Sequence, residues 1–390
     1  MGNRMGRRNQ SHIARLDQTI SKLKESYEGT PLIEVGHRLK DFLEETKAAI
    51  EAGSAQASQA KKAIDYVDSL IQILPSTFGD RFDLDAFLIQ SVAKEWSTGT
   101  VRLPNTIIPN YGRQWGHNSV NMPSESLIEA NAIDIIVFQG DNNLDDIDLL
   151  SYPWLCHELA HALLTRHGKK FGNDFTAELS KEVNRLHLRS LADRGATKDR
   201  AKKLVNNILN LWLPDPKEKN WTFELASDLI ALWTCGPSFL SAFHDAVNRD
   251  GVDPYKISKG HPPYVVRARA LVTASREVGW TSEYLQPLEM TMSKWEHLKK
   301  SNANELAAYA ASDIVRSCLS CSIAACRKLE LPLYDSAGIK RTRETLAKGE
   351  SPKIGTDLLT AAWALFNDQK DQYDTWERRT IQTLINDFKE

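Results

Sequence analysis

Two histidines and a glutamate stand at a spacing that suits metal-dependent hydrolysis. His157 and His161 are four positions apart and Glu158 follows the first histidine directly, in the pattern HExxH. Four residues of α-helix turn the chain by about 400° and advance it by about 6 Å, so both imidazoles project from one face. Glu158 then lies about 100° around the helix, where it can take a proton from a water molecule. The pattern predicts a single zinc ion on His157 and His161, with Glu158 as general base.

The sequence around the HExxH pattern predicts the helix that this geometry needs, over residues 154–166. Ser151 can cap that helix, and Pro153 suits its first turn. A strand-like run, 133–138, precedes the helix. We expect this run to be an edge strand that lines a substrate cleft and binds the substrate backbone as an added strand.

One candidate for the third metal ligand is His167, ten residues after His157, as in the pattern HExxHxxGxxH. That pattern needs its glycine to break the helix so that the last histidine can swing back, and Leu164 stands there instead. If the helix continues, His167 points roughly 120° away from His161 and cannot reach the metal. We therefore expect His167 to be a solvated or capping residue near the end of the helix.

The other candidate is Glu224, on a second predicted helix, 221–232. Apolar neighbours such as Trp221 and Phe223 indicate that this helix is largely buried, so its carboxylates need a cationic partner. Zinc would supply one, and we favour Glu224 as the third ligand. Asp228 lies one turn further along, where it can accept the free N–H of a histidine ligand and fix its tautomer. The alternative is an ordinary helix surface that carries two acids.

An HExxH pattern followed by ExxxD on a later helix resembles the gluzincin metallopeptidases. The segment from His261 to Arg267, HPPYVVR, is similar to the HPxxxxR motif of the family that contains the CAAX prenyl endopeptidases and the bacterial heat-shock membrane proteases. The resemblance covers about 133–271. It implies a zincin-like core in which His261 and Arg267 lie over the metal and help to stabilise the tetrahedral intermediate.

The residues of the third motif are compatible with these implied roles. Pro262 and Pro263 form a turn that holds His261 at a helix start, and Arg267 two turns later is a fixed cation for a developing oxyanion. Arg269 could be the functional cation instead. The plainer interpretation is a helix N-terminus with proline in its first turn.

Composition and charge narrow the classes of partner and compartment. Lys+Arg 49 against Asp+Glu 51 gives a net charge of -2, so no nucleic-acid partner is expected. Apolar runs such as 229–233 are far shorter than the roughly 20 residues that cross a bilayer, so no membrane partner and no prenylated substrate are inferred. Five cysteines are few and odd in number, which favours a reducing compartment and a cytoplasmic protein.

The pattern along the chain predicts an α+β fold that is predominantly α. We expect three domains: an N-terminal helical module (1–76), a zincin-like metallopeptidase domain with a small sheet beside the HExxH helix (77–280), and a C-terminal helical domain (281–390). Between 77 and 151 the predicted elements are strand-like runs at 101–103, 106–108 and 133–138. The helical patterns lie at 13–27, 33–50, 63–74, 154–166, 175–192, 198–212, 221–232, 264–278, 293–329, 341–347 and 356–389.

Two functions from different classes fit this sequence. The first is a zinc endopeptidase that acts on a protein or peptide substrate. The second is an inactive zincin scaffold that binds partners through its N- or C-terminal helices. The apolar seam of the first helix could pack internally or on such a partner.

Overall fold

The chain is largely helical. The computed structural model describes residues 2–28, 32–53, 57–73, 79–97, 107–120, 133–141, 143–192, 197–213, 220–249, 253–298 and 309–389. Within them lie many α-helices and one small sheet, which confirms an α+β fold that is predominantly α. The predicted strand-like run 101–103 lies outside the described residues.

The chain forms two compact units. One comprises Met1–Ala93, Pro104–Ile147 and Ile381–Glu390, and the other comprises Lys94–Leu103 and Asp148–Thr380. Their boundaries differ from those of the three predicted domains. The sheet belongs to the first unit and the HExxH pattern to the second, so the expected position of the sheet beside the HExxH helix stays a prediction.

The N-terminal helices of the first unit pack on one another. They are α1 (Gly2–Tyr27), α2 (Ile33–Glu51), α3 (Ala57–Ile73) and α4 (Asp80–Trp96), which ends in the second unit. Leu16, Leu23 and Tyr27 of the α1 seam are buried in a core shared with α2 and α3. Ile13 and Ile20 are partly buried against the same core. The apolar seam of α1 therefore packs internally, which was one of its two predicted roles.

The sheet of the first unit has three strands: β1 (Ile107–Gly112), β2 (Gly116–Val120) and β3 (Ile133–Gln139). Their order is β1-β3-β2, with β3 parallel to β1 and antiparallel to β2. Both edges of β3 are thus occupied by hydrogen-bonded neighbours, and a central strand cannot accept another. The prediction that 133–138 is an edge strand that binds substrate was wrong.

Helix α4 lies at the start of 77–151, where the sequence predicted a small sheet and no helix. Phe82, Ala86, Ile89 and Ala93 recur every three or four residues and are buried, which is the spacing of a helix face. Asp80 and Asp83 lie in its first turn, where acidic side chains favour the helix dipole.

Helices alone make up the described secondary structure of the second unit beyond α4. They are α5 (Pro153–His167), α6 (Lys169–Ala192), α7 (Lys198–Trp212), α8 (Trp221–Cys235), α9 (Pro237–Arg249), α10 (Tyr264–Glu277), α11 (Ser282–Glu296), α12 (Ser312–Lys328), α13 (Ser336–Ala347), α14 (Thr356–Asp368) and α15 (Lys370–Lys389), which ends in the first unit. The predicted helix 356–389 is therefore divided, and Gln369 separates its parts with φ −148° and ψ 58°. In the described parts of the predicted helix 293–329, two separate helices are found, α11 and α12.

Helix α8 is the centre of the second unit, and every one of its residues is buried. Asn220 caps it by accepting hydrogen bonds of 3.1 Å from the backbone N–H groups of Thr222 and Phe223. The helix packs against α5, α9, α10 and α12. A buried helix of this kind holds its polar side chains in fixed positions, which matters for Glu224 and Asp228.

Among the described helices, none combines the length and the apolar character that a membrane crossing requires.

Candidate metal centre

Helix α5 brings the three residues of the HExxH pattern to one place. Pro153 is its first residue, and the helix runs without a break to His167. One ligand atom from each of His157, Glu158 and His161 lies within 4.8 Å of the others. The imidazole of His157 packs against the rings of Trp154 and Phe239, with centroids 5.3 and 6.3 Å away. These contacts restrict the orientation of the first histidine.

Helix α8 adds Glu224 to this group. Its Oε2 lies 3.6 Å from Nε2 of His157, and its Oε1 lies 3.4 Å from Nε2 of His161. The two Nε2 atoms are 3.1 Å apart. Two imidazoles and a carboxylate from separate helices therefore face one point. The side chains of His157 and Glu224 are 4% and 3% exposed, and that of His161 is 16% exposed, so the group opens on the side of His161.

The spacing of these donor atoms fits a zinc ion. Zinc binds imidazole nitrogen and carboxylate oxygen at about 2.0–2.2 Å in a tetrahedral arrangement, which places neighbouring donor atoms about 3.3–3.5 Å apart. The two Nε2 atoms are 3.1 Å apart, and the two oxygens of Glu224 lie 3.6 Å (Oε2 to His157) and 3.4 Å (Oε1 to His161) from them, so the separations lie on both sides of that value. The donor set of two histidines and one glutamate is that of a catalytic zinc site, in which the fourth position stays open.

Asp228 lies behind the first histidine, one turn along α8 from Glu224. Its Oδ1 is 2.9 Å from Nδ1 of His157. Arg267 of α10 donates from Nε to Oδ2 and from Nη2 to Oδ1 of Asp228, each at 2.6 Å. The pair has the distance of an ion pair but not the angle of a hydrogen bond. The negative charge beside Nδ1 favours the tautomer that carries its proton there and leaves Nε2 free for a metal.

Opposite charges in this buried group shift the pKa values of their neighbours toward the charged forms. Burial acts to lower the pKa of His157, but the carboxylates of Asp228 and Glu224 outweigh it and raise the pKa to about 9. Burial acts to raise the pKa of Glu224, but the charges of His161 and His157 outweigh it and hold that pKa below its usual range. For Asp228, Arg267 outweighs burial in the same way, and the pKa is lowered.

Ser227 is a residue of the site that the sequence analysis did not identify. Its Oγ lies 3.2 Å from Nδ1 of His161, and the side chain is fully buried. It stands in relation to His161 as Asp228 does to His157. The position of Ser227, one helical turn from Glu224 and directly before Asp228, could have indicated its place in the site. Serine is too common in buried helices for this position to single it out.

The structure also brings His261 to the site. Its Nε2 lies 3.4 Å from Oε1 of Glu224, and its side chain is 52% exposed. The turn before α10 fixes this position, because Ser258 Oγ donates to the carbonyl of His261 at 2.9 Å and accepts from its backbone N–H at 3.2 Å. His261 is thus a polar group on the open side of the three donors.

The position of Arg267 does not support the implied contact with an oxyanion. Two of its donors are engaged by Asp228, and its guanidinium lies over the rings of Trp154, Phe243 and Tyr264 at 5.6, 5.3 and 5.7 Å. This geometry favours a role in positioning His157 through Asp228.

The two remaining alternatives lie apart from these contacts. Arg269 is exposed on α10 and lines a cavity formed with α11 and α12. His167 is exposed at the last residue of α5. Because the helix continues through Leu164, His167 does not turn back toward the pair formed by His157 and His161.

Comparisons of the chain with protein-family models, with curated proteins and with solved structures found no match. The resemblance to the gluzincins therefore depends on the three motifs and on the geometry of their residues.

Proposed function

We propose that this protein is a zinc-dependent endopeptidase with a zincin-like core in its second unit. The observation that carries the proposal is that the Nε2 atoms of His157 and His161 lie 3.1 Å apart and that each lies 3.4–3.6 Å from one oxygen of the Glu224 carboxylate, which suits one tetrahedral metal ion. Without a metal, the two Nε2 atoms would face each other and a carboxylate in a buried place. The buried carboxylate needs a cationic partner, which a metal supplies in the loaded site and which the protonated His157 supplies in the metal-free protein.

Zinc supplies two kinds of chemistry in such a site, polarisation of a carbonyl group and a lower pKa for a water molecule. Glu158 accepts the proton of the water that attacks the peptide carbonyl, and it returns that proton to the leaving amine. Its place directly after His157 puts it about 100° around the helix from that ligand, and one of its oxygens lies within 4.8 Å of ligand atoms of His157 and His161. Burial of Glu158, at 5% exposure, limits competition from bulk water.

The other polar side chains position these groups or meet the substrate. Asp228, fixed by Arg267, orients His157, and Ser227 orients His161. His261 lies on the open side next to Glu224, where it can donate a hydrogen bond to the substrate carbonyl as negative charge develops on its oxygen. All five cysteines are unpaired, which supports our proposal of a reducing, cytoplasmic setting.

The proposal is tested by replacing Glu158 with Gln, which preserves shape and removes the base. The variant should bind zinc as the wild type does and should cleave a mixture of fluorogenic peptides at least about 100-fold more slowly. Glu178→Gln, a half-exposed glutamate of α6, is the matched control and should cleave normally. Wild-type rates in Glu158→Gln would overturn the mechanism, and a zinc-loaded wild type that cleaves no peptide would favour the inactive scaffold.

A further inference from the structure

The far end of the hairpin formed by α6 and α7 exposes apolar side chains that the proposed function does not use. Beyond Val183, no residue of α6 is buried. Leu188 is 67% exposed and Leu191 is 39% exposed. Because they are three residues apart, the two leucines lie on the same side of the helix.

The near end of the same hairpin is anchored in the second unit. The rings of Phe175 and Trp212 lie 6.1 Å apart between α6 and α7. Trp212 Nε1 donates to the carbonyl of Tyr309 at 2.7 Å, and Asn207 Nδ2 donates to the hydroxyl of Tyr309 at 2.7 Å. Further along α6, two residues beyond Val183, Arg185 forms an ion pair with Asp313. These contacts hold the hairpin at its base and along α6 as far as Arg185.

The exposed end is also strongly basic. Five exposed cations are found on it, namely Arg189, Lys198, Arg200, Lys202 and Lys203. Asp199 is the only acidic residue in the described stretches 186–192 and 197–213. The whole chain carries a net charge of -2, so the excess of positive charge is local to this end. We call these five cations with Leu188 and Leu191 the hairpin tip.

We propose that the hairpin tip binds the surface of an anionic lipid bilayer, with the two leucines inserted among the headgroups and the cations beside lipid phosphates. Stable peripheral binding generally takes two signals, and the tip provides an apolar and a basic one. Each lysine or arginine near an anionic surface strengthens binding roughly fivefold. A purely phosphate-binding surface would have no use for exposed leucines, which is why we favour lipid over nucleic acid. The expectation of no membrane partner considered only segments that cross a bilayer.

Co-sedimentation with vesicles tests this proposal on the full chain. Binding to equimolar phosphatidylcholine and phosphatidylglycerol should exceed binding to phosphatidylcholine alone by roughly tenfold or more. The excess should disappear in about 1 M salt, where the screening length falls to about 3 Å. No binding to either vesicle, or equal binding to both, would overturn the proposal.

Paired variants separate the two signals. Leu188→Asp with Leu191→Asp should weaken vesicle binding by roughly tenfold or more, whereas Met290→Asp, at a similarly exposed methionine of α11, should leave it within about twofold. Circular dichroism should show that all variants are folded. Loss of binding in the Met290 variant as well, or no loss in the leucine variant, would contradict the assignment to the hairpin tip.

Lysine variants test the contribution of the basic side chains to vesicle binding. Lys202→Gln with Lys203→Gln should weaken binding by roughly 25-fold, and Lys61→Gln with Lys62→Gln, two exposed lysines of α3, should not weaken it. Tighter binding to an oligonucleotide than to anionic vesicles, with loss only in the lysine variant, would assign the tip to nucleic acid and overturn the lipid proposal.

Discussion

Arg267 donates two hydrogen bonds of 2.6 Å to the carboxylate of Asp228, and neither side chain is exposed by more than 5%. The same carboxylate lies 2.9 Å from Nδ1 of His157. Arg267 of α10 thus contacts Asp228 of α8, and Asp228 in turn contacts His157 of α5. The orientation of the first proposed zinc ligand depends on three helices at once.

Replacing Asp228 with Asn should damage both stability and metal binding. The change leaves the buried guanidinium of Arg267 without its counter-ion, which costs about 3–5 kcal/mol of unfolding free energy. It also weakens the orientation of His157, so zinc affinity should fall roughly 10–100-fold. Chemical unfolding of the metal-free protein and a competitive zinc titration measure the two effects.

Glu289→Gln is the matched control for Asp228→Asn, because Glu289 pairs with Arg276 on the surface. An exposed pair of this kind contributes about 0–1 kcal/mol, and the change should leave zinc affinity as it is. Equal zinc affinity in Asp228→Asn and wild type would show that Asp228 does not contribute to metal binding.

A double-mutant cycle separates the two roles considered for Arg267. If Arg267 acts only through Asp228, then Arg267→Met should change kcat/KM by less than about twofold once Asp228 is already Asn. If it also contacts the developing oxyanion, the second change should lower kcat by a further roughly 100-fold. Peptide cleavage by the four proteins of the cycle decides between them, and the structure favours the first result.

Ser227→Ala should weaken zinc binding roughly tenfold, because it removes the hydroxyl beside Nδ1 of His161. Ser275→Ala is the matched control. Ser275 is equally buried, and its hydroxyl makes no hydrogen bond within the described residues. Competitive zinc titration of the two variants provides the comparison, and equal affinities would show that Ser227 only fills space.

Zinc binding should depend on pH in a direction that the carboxylates around His157 dictate. They raise its pKa to about 9, so near neutral pH the metal-free imidazole is protonated and zinc must displace that proton. From about pH 7 to pH 9 the apparent Kd should therefore fall by about tenfold per pH unit. A Kd that does not change over this range would show that His157 is already neutral in the metal-free protein.

Local spacing in the sequence predicted which candidate site residues share a helix face, but not how the helices pack on one another. Four-residue spacing on a helix placed His157 with His161 and Glu224 with Asp228, because helical geometry is local and repeats regularly. The meeting of the two helices could be inferred only from the chemistry of buried carboxylates. The engagement of Arg267 by Asp228 was not predicted, since it depends on how α10 packs on α8, and spacing within one helix does not specify packing between helices.

For the strand 133–138, the sequence predicted the type of element but not its position in the sheet. Its apolar, β-branched sequence predicted a strand, and β3 is one. Whether a strand is central or at an edge depends on the partners that hydrogen-bond to it, here β1 and β2. Those pairings are not encoded within the strand, so the prediction of an edge strand had no local support.

Zinc analysis of the wild type and of Glu224→Ala, both expressed with ample zinc and dialysed, tests the central claim most directly. The wild type should contain about one zinc per chain, and Glu224→Ala should retain little, since Glu224 supplies the third donor of a site that needs three from the protein. Absence of zinc from the wild type, or equal zinc in the two proteins, would contradict a metal centre on His157, His161 and Glu224.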